Sequence, residues 1–257
     1  MHGCGNDYII INTIKTPITL SKSQITQLCT PHFGIGSEGL LLLEKSKIAD
    51  FKMRMFNIDG SESEMCGNGI RCISKYAYDE EIIKEKKAKI ETLSGIKEIE
   101  LIFEKNEFKS VKVNMGKIKY LNNLIIDNYN IHYVNFGNPH SILIVDNVEN
   151  FDVKKIGFLI ENNQIFENKT NVEFVQIIDR KNVILRVWER NCGETISCGS
   201  GSSATIGVLF KLGLVDNFCC VKLKGGILNI EIIGEDIFLI GNAVRVFDGV
   251  VNWDFIK

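Results

Sequence analysis

Several features are scarce in this sequence of 257 residues. It contains 3 prolines, 2 tryptophans and 4 histidines, and its apolar runs are much shorter than the roughly 20 residues that span a bilayer. Neither sign of charge dominates, since 30 Lys and Arg stand against 32 Asp and Glu. A net charge of -2 gives no electrostatic reason to bind nucleic acid or a membrane surface. We therefore expect neither partner.

The 8 cysteines do not form a recognisable metal or redox motif. Cys-x-x-Cys is missing, and the histidines have no ligand spacing. The first residues, Met1 to Asp7, lack the basic and apolar regions of an export signal, which predicts a cytoplasmic protein with reduced thiols. We expect most of these thiols to be buried as small hydrophobic groups, and we expect no metal. A site assembled from distant segments stays an open alternative.

Strand patterns dominate the sequence, of which 45% is hydrophobic. Runs rich in Ile, Val and Phe and bounded by turn residues predict strands at 8–12, 40–44, 51–57, 98–103, 111–115, 142–145, 172–177, 183–188 and 227–233. The segment 80–89 mixes Lys and Glu and is typical of a solvated face. A capping box at Ser21 and Gln24 predicts a helix that ends at Cys29, and two more helices are predicted at 69–78 and 202–212.

An approximate internal repeat is the most informative feature. Residues 56–69 and 187–201 each read as a strand, a polar turn with acidic residues, and then Cys-Gly-x-Gly at the start of a helix. The repeat predicts two similar α/β halves with a boundary near 111–120.

The two Cys-Gly-x-Gly turns have a specific chemistry. The first N–H groups of a helix lack intrahelical partners and carry partial positive charge. A cysteine there, Cys66 or Cys198, is predicted to have a lowered pKa. The following N–H groups can hold a carboxylate, and they belong to Gly67, Asn68, Gly199 and Ser200. One such turn is weak evidence of function, but two matching turns favour it.

If the two cysteines meet at one substrate, they can invert a stereocentre. One thiolate removes the α-proton of an amino acid while the opposite thiol delivers a proton to the other face. Thiols suit both roles because their ordinary pKa, about 8.5, is close to neutrality.

At these residues the sequence resembles the diaminopimelate epimerase family, and the similarity runs nearly end to end. The matching motifs are 1–8, 34–36, 56–62, 66–72, 137–140, 170–172, 189–190, 193–195 and 198–201. The resemblance implies an α/β (α+β) fold of two pseudo-symmetric domains, each a β-barrel-like sheet around a central helix. The first half would comprise residues 1–112, completed by about 246–257, and the second residues 113–245.

The resemblance also implies the activity and its residues. The family interconverts LL- and meso-2,6-diaminopimelate by a thiolate/thiol mechanism, without pyridoxal phosphate or metal, for the biosynthesis of lysine and peptidoglycan precursors, and commonly forms homodimers. Cys66 and Cys198 would be the acid/base pair, and His140 and Glu189 would adjust their protonation. Substrate would contact Asn6, Asn57, Gly67, Asn68, Asn138, Asn171, Glu189, Arg190, Gly199 and Ser200.

Simpler interpretations of some of these residues stay open. The asparagines are also typical of turns in which a side chain bonds its own backbone. Glu189 and Arg190 are adjacent and suit a local ion pair. Three positions depart from the family pattern: Gly39 replaces a frequent Gln, Glu167 replaces a usual proline, and Cys192 is an additional thiol.

Other functions compete with this interpretation. A proline-racemase-like enzyme also pairs two thiols, but its first motif has His where this sequence has Asn68. Phenazine-pathway-like relatives share the fold without the cysteine pair. A thiol-disulfide redox protein is disfavoured by the missing Cys-x-x-Cys, and a non-catalytic binding protein leaves both cysteines unexplained.

Overall fold

The computed structural model describes residues 1–252 and 254, and the chain divides into two compact units. Unit 1 comprises Met1–Val113 and Gly241–Lys257, and unit 2 comprises Asn114–Ile240. Part of the predicted closing segment 246–257, namely residues 253 and 255–257, lies outside the described residues. Among the described residues, no helix combines the length and hydrophobicity required to cross a membrane.

In its described residues, unit 1 contains an antiparallel pair, a six-stranded sheet path and two helices. In chain order its elements are β1 (His2–Gly3), β2 (Asn6–Asp7), β3 (Ile9–Asn12), α1 (Lys22–Cys29), β4 (Gly39–Glu44), β5 (Phe51–Asn57), β6 (Glu62–Ser63), α2 (Gly67–Asp79), β7 (Lys87–Thr92), β8 (Gly95–Glu104) and β9 (Glu107–Gly116). The sheet order is β9-β8-β7-β5-β4-β3, with β6 paired to β5. The boundary between the units falls within β9.

Unit 2 has an eight-stranded path and two helices. Its elements are β10 (Lys119–Ile126), β11 (Tyr129–Asn135), β12 (Pro139–Ile144), α3 (Val153–Glu161), β13 (Asn171–Asp179), β14 (Asn182–Glu189), β15 (Gly193–Thr195), α4 (Gly199–Lys211), β16 (Phe218–Leu223), β17 (Gly226–Ile233) and β18 (Asp236–Gly241). The order is β10-β11-β12-β13-β14-β16-β17-β18, with β15 paired to β14.

Each unit surrounds one buried helix with strands. Helix α2 packs against β1, β4, β5 and β8, and α4 packs against β11, β12, β13 and β17. The first eight residues of α2 are all buried, and α4 is buried continuously from Gly201 to Leu209. A helix covered on every side belongs in the centre of a domain. The predicted α/β class, with few helices and much sheet, is confirmed.

Several elements differ from the prediction. Helices α2 and α4 begin earlier than predicted, at Gly67 and Gly199, directly after the two cysteines. The segment 80–89, predicted as a solvated face, runs into strand β7, in which charged residues alternate with the buried Ala88 and Ile90. Helix α3 was not predicted, because Gly157 lies inside it. That glycine is needed there, since a Cβ would lie 2.6 Å from Cγ of Trp188.

The strands that lead to α2 and α4 have the same pairing register. In unit 1, β3 pairs in parallel with β4, and β4 pairs antiparallel with β5. In unit 2, β12 pairs in parallel with β13, and β13 pairs antiparallel with β14. Corresponding residues are separated in sequence by the same distance as Cys66 and Cys198. The aligned pairs are Ile9–Leu40 and Leu40–Phe56 in unit 1, and Ser141–Val172 and Val172–Trp188 in unit 2. The repeat therefore extends from β3 to α2 in unit 1 and from β12 to α4 in unit 2, and each residue of unit 1 in this region has a counterpart in unit 2.

Candidate active site

Cys66 is the N-cap of α2 and contacts one hydroxyl group. Its backbone is extended, with φ -128° and ψ 131°. Its Sγ lies 3.0 Å from Oη of Tyr8, a residue that is 3% exposed. Burial, and then the neighbouring Cys66, raise the pKa of Tyr8 well above 10.0, so the phenol is neutral at physiological pH.

Cys198 is the N-cap of α4 and is buried. Its backbone repeats that of Cys66, with φ -133° and ψ 116°. Its Sγ accepts a hydrogen bond from the Gly201 N–H at 3.4 Å and lies 3.5 Å from Oγ of Ser200. Both hydrogen bonds stabilise a thiolate, as the position at a helix N-terminus predicts.

The predicted lowering of the pKa is nevertheless wrong for Cys198. Burial raises its pKa well above 9.0, and the carboxylates of Glu189 and Glu173 raise it further. These effects outweigh the hydrogen bonds from Ser200 and Gly201. At neutral pH Cys198 is a thiol.

Glu189 at the end of β14 faces Cys198 instead of pairing with its neighbour. Burial raises its pKa, and hydrogen bonds from Thr195 and Cys198 partly offset this rise. The Thr195 hydroxyl donates to Oε1 of Glu189 at 2.6 Å. Nη1 of Arg190 donates to the Asn168 carbonyl at 2.9 Å, so the guanidinium turns to this carbonyl and not to the neighbouring Glu189. The structure brings Glu189 and Cys198 together.

His140 lies between two oxygen atoms in the interior of unit 2. Its Nδ1 is 2.6 Å from Oε1 of Glu173, and its Nε2 is 2.9 Å from Oδ1 of Asn138. The side chains of His140 and Glu173 are both fully buried. If the imidazole donates to both oxygens, it carries a proton on each nitrogen. If the Asn138 side-chain amide is flipped, so that Nδ2 faces the ring, Nε2 accepts a hydrogen bond and the ring is neutral. Asn138 therefore holds the imidazole.

Asn171 fastens two backbone segments beside this pair. Its Nδ2 donates to the Pro139 carbonyl at 3.1 Å, and its Oδ1 accepts from the Arg190 N–H at 2.9 Å. Asn171 therefore joins two distant backbone segments and is not a turn residue that bonds its own backbone.

Glu173 was missed by the sequence analysis. Its Oε2 is buried and has no hydrogen-bond partner in the described part of the chain. Oε1 lies against the first turn of α4, where a Cβ on Gly201 would approach it to 2.6 Å. A lone carboxylate within the otherwise apolar run 172–175 is the signal that could have revealed it.

The asparagines of unit 1 differ in their exposure. Asn6 and Asn68 are buried, and in residues 1–252 and 254 neither Oδ1 atom has a hydrogen-bond partner. Asn57 is exposed, and its Nδ2 donates to Oγ of Ser61 at 3.0 Å. Because a buried acceptor without a partner is costly, Asn6 and Asn68 are suited to receive a ligand's donors.

A buried arginine fixes the beginning of α2. Nη1 of Arg71 donates to the Gly67 carbonyl at 2.8 Å, and Nε donates to the Asn242 carbonyl at 3.1 Å. A Cβ at Gly3 would come within 2.9 Å of Nη2, so a side chain there would displace this guanidinium. The next residue, Cys72, is buried, and burial raises its pKa to about 12, as suits a structural thiol.

The site residues of the two units occupy counterpart positions of the repeat. The pairs are Asn6 and Asn138, Tyr8 and His140, Gly39 and Asn171, Leu41 and Glu173, Asn57 and Glu189, Cys66 and Cys198, Gly67 and Gly199, and Asn68 and Ser200. Gly39 has a packing reason to lack a side chain, since a Cβ would lie 2.7 Å from the Phe56 carbonyl. Glu167 and Cys192 are exposed. Within residues 1–252 and 254, no three His, Cys, Asp or Glu side chains are grouped as ligands for a metal ion.

Comparison with known sequences decides the family. The family model for diaminopimelate epimerase matches residues 1–121 and 132–246. The chain belongs to the diaminopimelate epimerase family. The diaminopimelate epimerase of Brachyspira hyodysenteriae is 43% identical over 271 residues, which cover 98% of this chain and 97% of that protein. The enzyme of Methanococcus maripaludis strain C6 is 44% identical over 272 residues, 98% of each chain. The predicted family and isomerase class are confirmed.

Solved structures share the fold at low sequence identity. A PhzF-family phenazine biosynthesis protein from Bacillus anthracis has a TM-score of 0.72 at 17% identity and covers 98% of this chain and 95% of its own. A hydroxyproline epimerase from Agrobacterium vitis, solved with trans-4-OH-L-proline, has a TM-score of 0.71 at 14% identity, covering 93% and 87%. The fold alone is therefore common to families with different substrates.

Proposed function

We propose that this chain interconverts LL- and meso-2,6-diaminopimelate, without a cofactor, in the biosynthesis of lysine and peptidoglycan precursors. The observation that carries the proposal is the matched pair of Cys66 and Cys198. Each is the N-cap of a buried helix in the same strand–turn–helix frame, in a chain 43% identical to an enzyme with that name.

In the proposed mechanism Cys66 and Cys198 act on opposite faces of one α-carbon. The Cys66 thiolate takes the α-proton, and the electron pair of the broken C–H bond stays on the α-carbon. The Cys198 thiol then gives its proton to the opposite face, which leaves Cys66 protonated and Cys198 ionised. The raised pKa of Cys198 supports this assignment, because it supplies the proton at neutral pH.

We assign the substrate's polar groups by the chemistry of the residues present. The backbone N–H groups of Gly67, Asn68, Gly199 and Ser200 suit the carboxylate on the reacting carbon. The unpartnered Oδ1 atoms of Asn6 and Asn68 suit an ammonium group. Arg190 suits the distal carboxylate, which a guanidinium can bind in a bidentate manner. Asn57, Asn138, Asn171 and Glu189 complete the proposed binding set.

His140 and Glu189 are proposed to adjust the protonation of Cys198. Glu189 contacts the thiol and contributes to its raised pKa. His140 acts on Glu189, since a positive charge on its imidazole lowers the pKa of that carboxyl group. Removing either group therefore changes how readily Cys198 releases its proton.

We also propose two epimerase halves, residues 1–112 with about 246–257 and residues 113–245, in a cytoplasmic homodimer. Light scattering coupled to size-exclusion chromatography tests the dimer, and a mass of one chain contradicts it.

Isotope exchange tests the reaction. Purified, reduced protein is incubated with LL-diaminopimelate in deuterated water, the two isomers are separated, and their deuterium content is measured by mass spectrometry. We expect the meso isomer to carry deuterium at the inverted carbon, because the incoming proton comes from a thiol that exchanges with solvent. Recovery of unlabelled LL substrate would remove the proposal.

Single substitutions test the two thiols. We expect Cys66→Ala and Cys198→Ala each to abolish steady-state turnover, because each leaves the reaction without a base or an acid. Cys192→Ala is the matched control, since Cys192 is exposed. Near-normal activity in either site variant, with the control also active, contradicts the two-thiol mechanism.

A further inference from the structure

The proposed reaction leaves Tyr8 without a role, although its hydroxyl lies 3.0 Å from Sγ of Cys66. The backbone of Tyr8 is held by two further hydrogen bonds. The Tyr8 N–H donates to the Met1 carbonyl at 2.8 Å, and the terminal amine of Met1 donates to the Tyr8 carbonyl at 2.9 Å. These bonds fix the backbone of Tyr8, and the burial of its ring restricts the phenol beside the sulfur.

The direction of this hydrogen bond is fixed once Cys66 is ionised. A thiolate has no proton to give, so the Tyr8 hydroxyl must donate. The phenol keeps its proton at physiological pH, because burial and the adjacent Cys66 both raise its pKa. Hydrogen bonds to a charged acceptor are stronger than those between neutral groups.

The two helices provide different donors to their cysteines. In α4 the Gly201 N–H donates to Sγ of Cys198. Within the described residues, α2 gives the Cys66 side chain no capping hydrogen bond. The short contact of Cys66 is instead with Tyr8, whose counterpart in unit 2 is His140. Unit 1 thus has a phenol where unit 2 has an imidazole.

We propose that Tyr8 is a positioning residue for Cys66: it orients the sulfur and stabilises the thiolate by donating a hydrogen bond. This inference rests on the proposed role of Cys66 as the base. It predicts that removing the phenol hydroxyl makes the Cys66 thiolate less stable.

Other titratable groups act on Tyr8 and on the thiol next to it. Cys72 on α2 and Glu38 in the segment before β4 raise the pKa of Tyr8 further, whereas Arg71 and the amino group of Met1 act on Cys72. Tyr8→Phe leaves all of them in place and removes a single oxygen atom, so it isolates the hydroxyl.

Peptide-resolved alkylation provides the test. The folded protein, without substrate, is treated with iodoacetamide at a series of pH values, quenched, unfolded and digested with trypsin. Cleavage after Arg54 and Arg71 releases residues 55–71, in which Cys66 is the sole cysteine. In Tyr8→Phe we expect the midpoint of Cys66 alkylation to rise by about one pH unit, and the rate at pH 7 to fall about tenfold.

Tyr78→Phe is the matched control. Tyr78 lies on the same helix, and its ring packs against Phe103 with the centroids 5.2 Å apart. We expect its alkylation profile to equal that of the unmodified protein. An unchanged profile in Tyr8→Phe, or an equal shift in both variants, overturns the proposal.

A second variant covers the case in which Tyr8→Phe does not fold. Replacing Tyr8 alone with 3-fluorotyrosine retains the ring and makes the hydroxyl a stronger donor, so the midpoint should fall. A midpoint that stays constant or rises contradicts the inference. Because no substrate is present, these results do not depend on epimerase activity. A failure of the Tyr8 proposal is therefore distinguished from a failure of the proposed epimerase reaction, which the isotope exchange tests.

Discussion

Replacing Gly201 by alanine probes how firmly the Glu173 carboxylate is held. Gly201 lies in the first turn of α4, where a Cβ would be 2.6 Å from Oε1 of Glu173 and 3.2 Å from its Cγ. The same oxygen is 2.6 Å from Nδ1 of His140. Restoring an ordinary contact of 3.4 Å requires the carboxylate to move by several tenths of an ångström. That movement stretches the hydrogen bond to His140.

Three energies decide the outcome. Alanine favours a helix interior over glycine by about 1 kcal/mol. Overpacking a buried site costs about 1–3 kcal/mol, and leaving a buried polar group without its hydrogen-bond partner costs about 1–3 kcal/mol. Because the hydrogen bond is stretched and not removed, we expect Gly201→Ala to lower the free energy of unfolding by about 2 kcal/mol.

The counterpart glycine provides the control. A Cβ at Gly69 would lie 3.3 Å from Cδ2 of Leu41, a methyl group that can rotate away. Gly69→Ala should therefore be neutral or stabilising by up to about 1 kcal/mol. Urea unfolding of both variants, followed by circular dichroism at pH 7, measures the difference. Equal midpoints would refute the argument that Glu173 is confined.

Three further outcomes are expected. Burial raises the pKa of Glu189, so the contribution of this carboxyl group to stability is complete below about pH 4.5 and is lost as the pH rises through its pKa in the folded protein. Glu189→Gln should therefore flatten the dependence of the unfolding free energy on pH. Parallel curves for the two proteins in urea titrations would count against this prediction. Alkylation at pH 8 should label the exposed Cys192 before Cys72 and Cys219, whose pKa values burial raises to about 12, and early labelling of either buried thiol in the digested peptides would contradict this. The kcat/KM of the epimerase should follow a bell-shaped pH profile, because one thiol must be ionised and the other protonated, and a flat profile from about pH 6 to about pH 10 is incompatible with that requirement.

The sequence was most informative where local geometry determines structure. The capping box at Ser21 and Gln24 is present with both of its hydrogen bonds. Phe51, Met53 and Met55 are buried at alternating positions of β5, as expected because successive side chains of a strand point to opposite faces. Cys-Gly-x-Gly placed both cysteines at helix N-termini because glycine permits close backbone approach there. These signals need only a few neighbouring residues.

Partners from distant segments were not predictable in the same way. Glu173 meets His140 through the parallel pairing of β12 and β13, and Tyr8 meets Cys66 through the strands that carry the chain beside α2. The lowered pKa expected for Cys198 was wrong for a related reason. A helix terminus is visible in the sequence, whereas the burial of the sulfur and its two neighbouring carboxylates depends on the complete fold.

The repeat preserves a frame while its chemistry differs between the units. Leu41, Tyr8 and Asn57 in unit 1 correspond to Glu173, His140 and Glu189 in unit 2. An inversion by two thiols needs one sulfur ionised and the other protonated at the same pH, and identical surroundings would favour the same state for both. Burial, and then the carboxylates of unit 2, hold Cys198 as a thiol, and a phenol without negative charge contacts Cys66. The counterpart positions nearest the cysteines therefore have a chemical reason to differ, whereas the strands and glycine turns that place each sulfur at a helix N-terminus have a reason to remain alike.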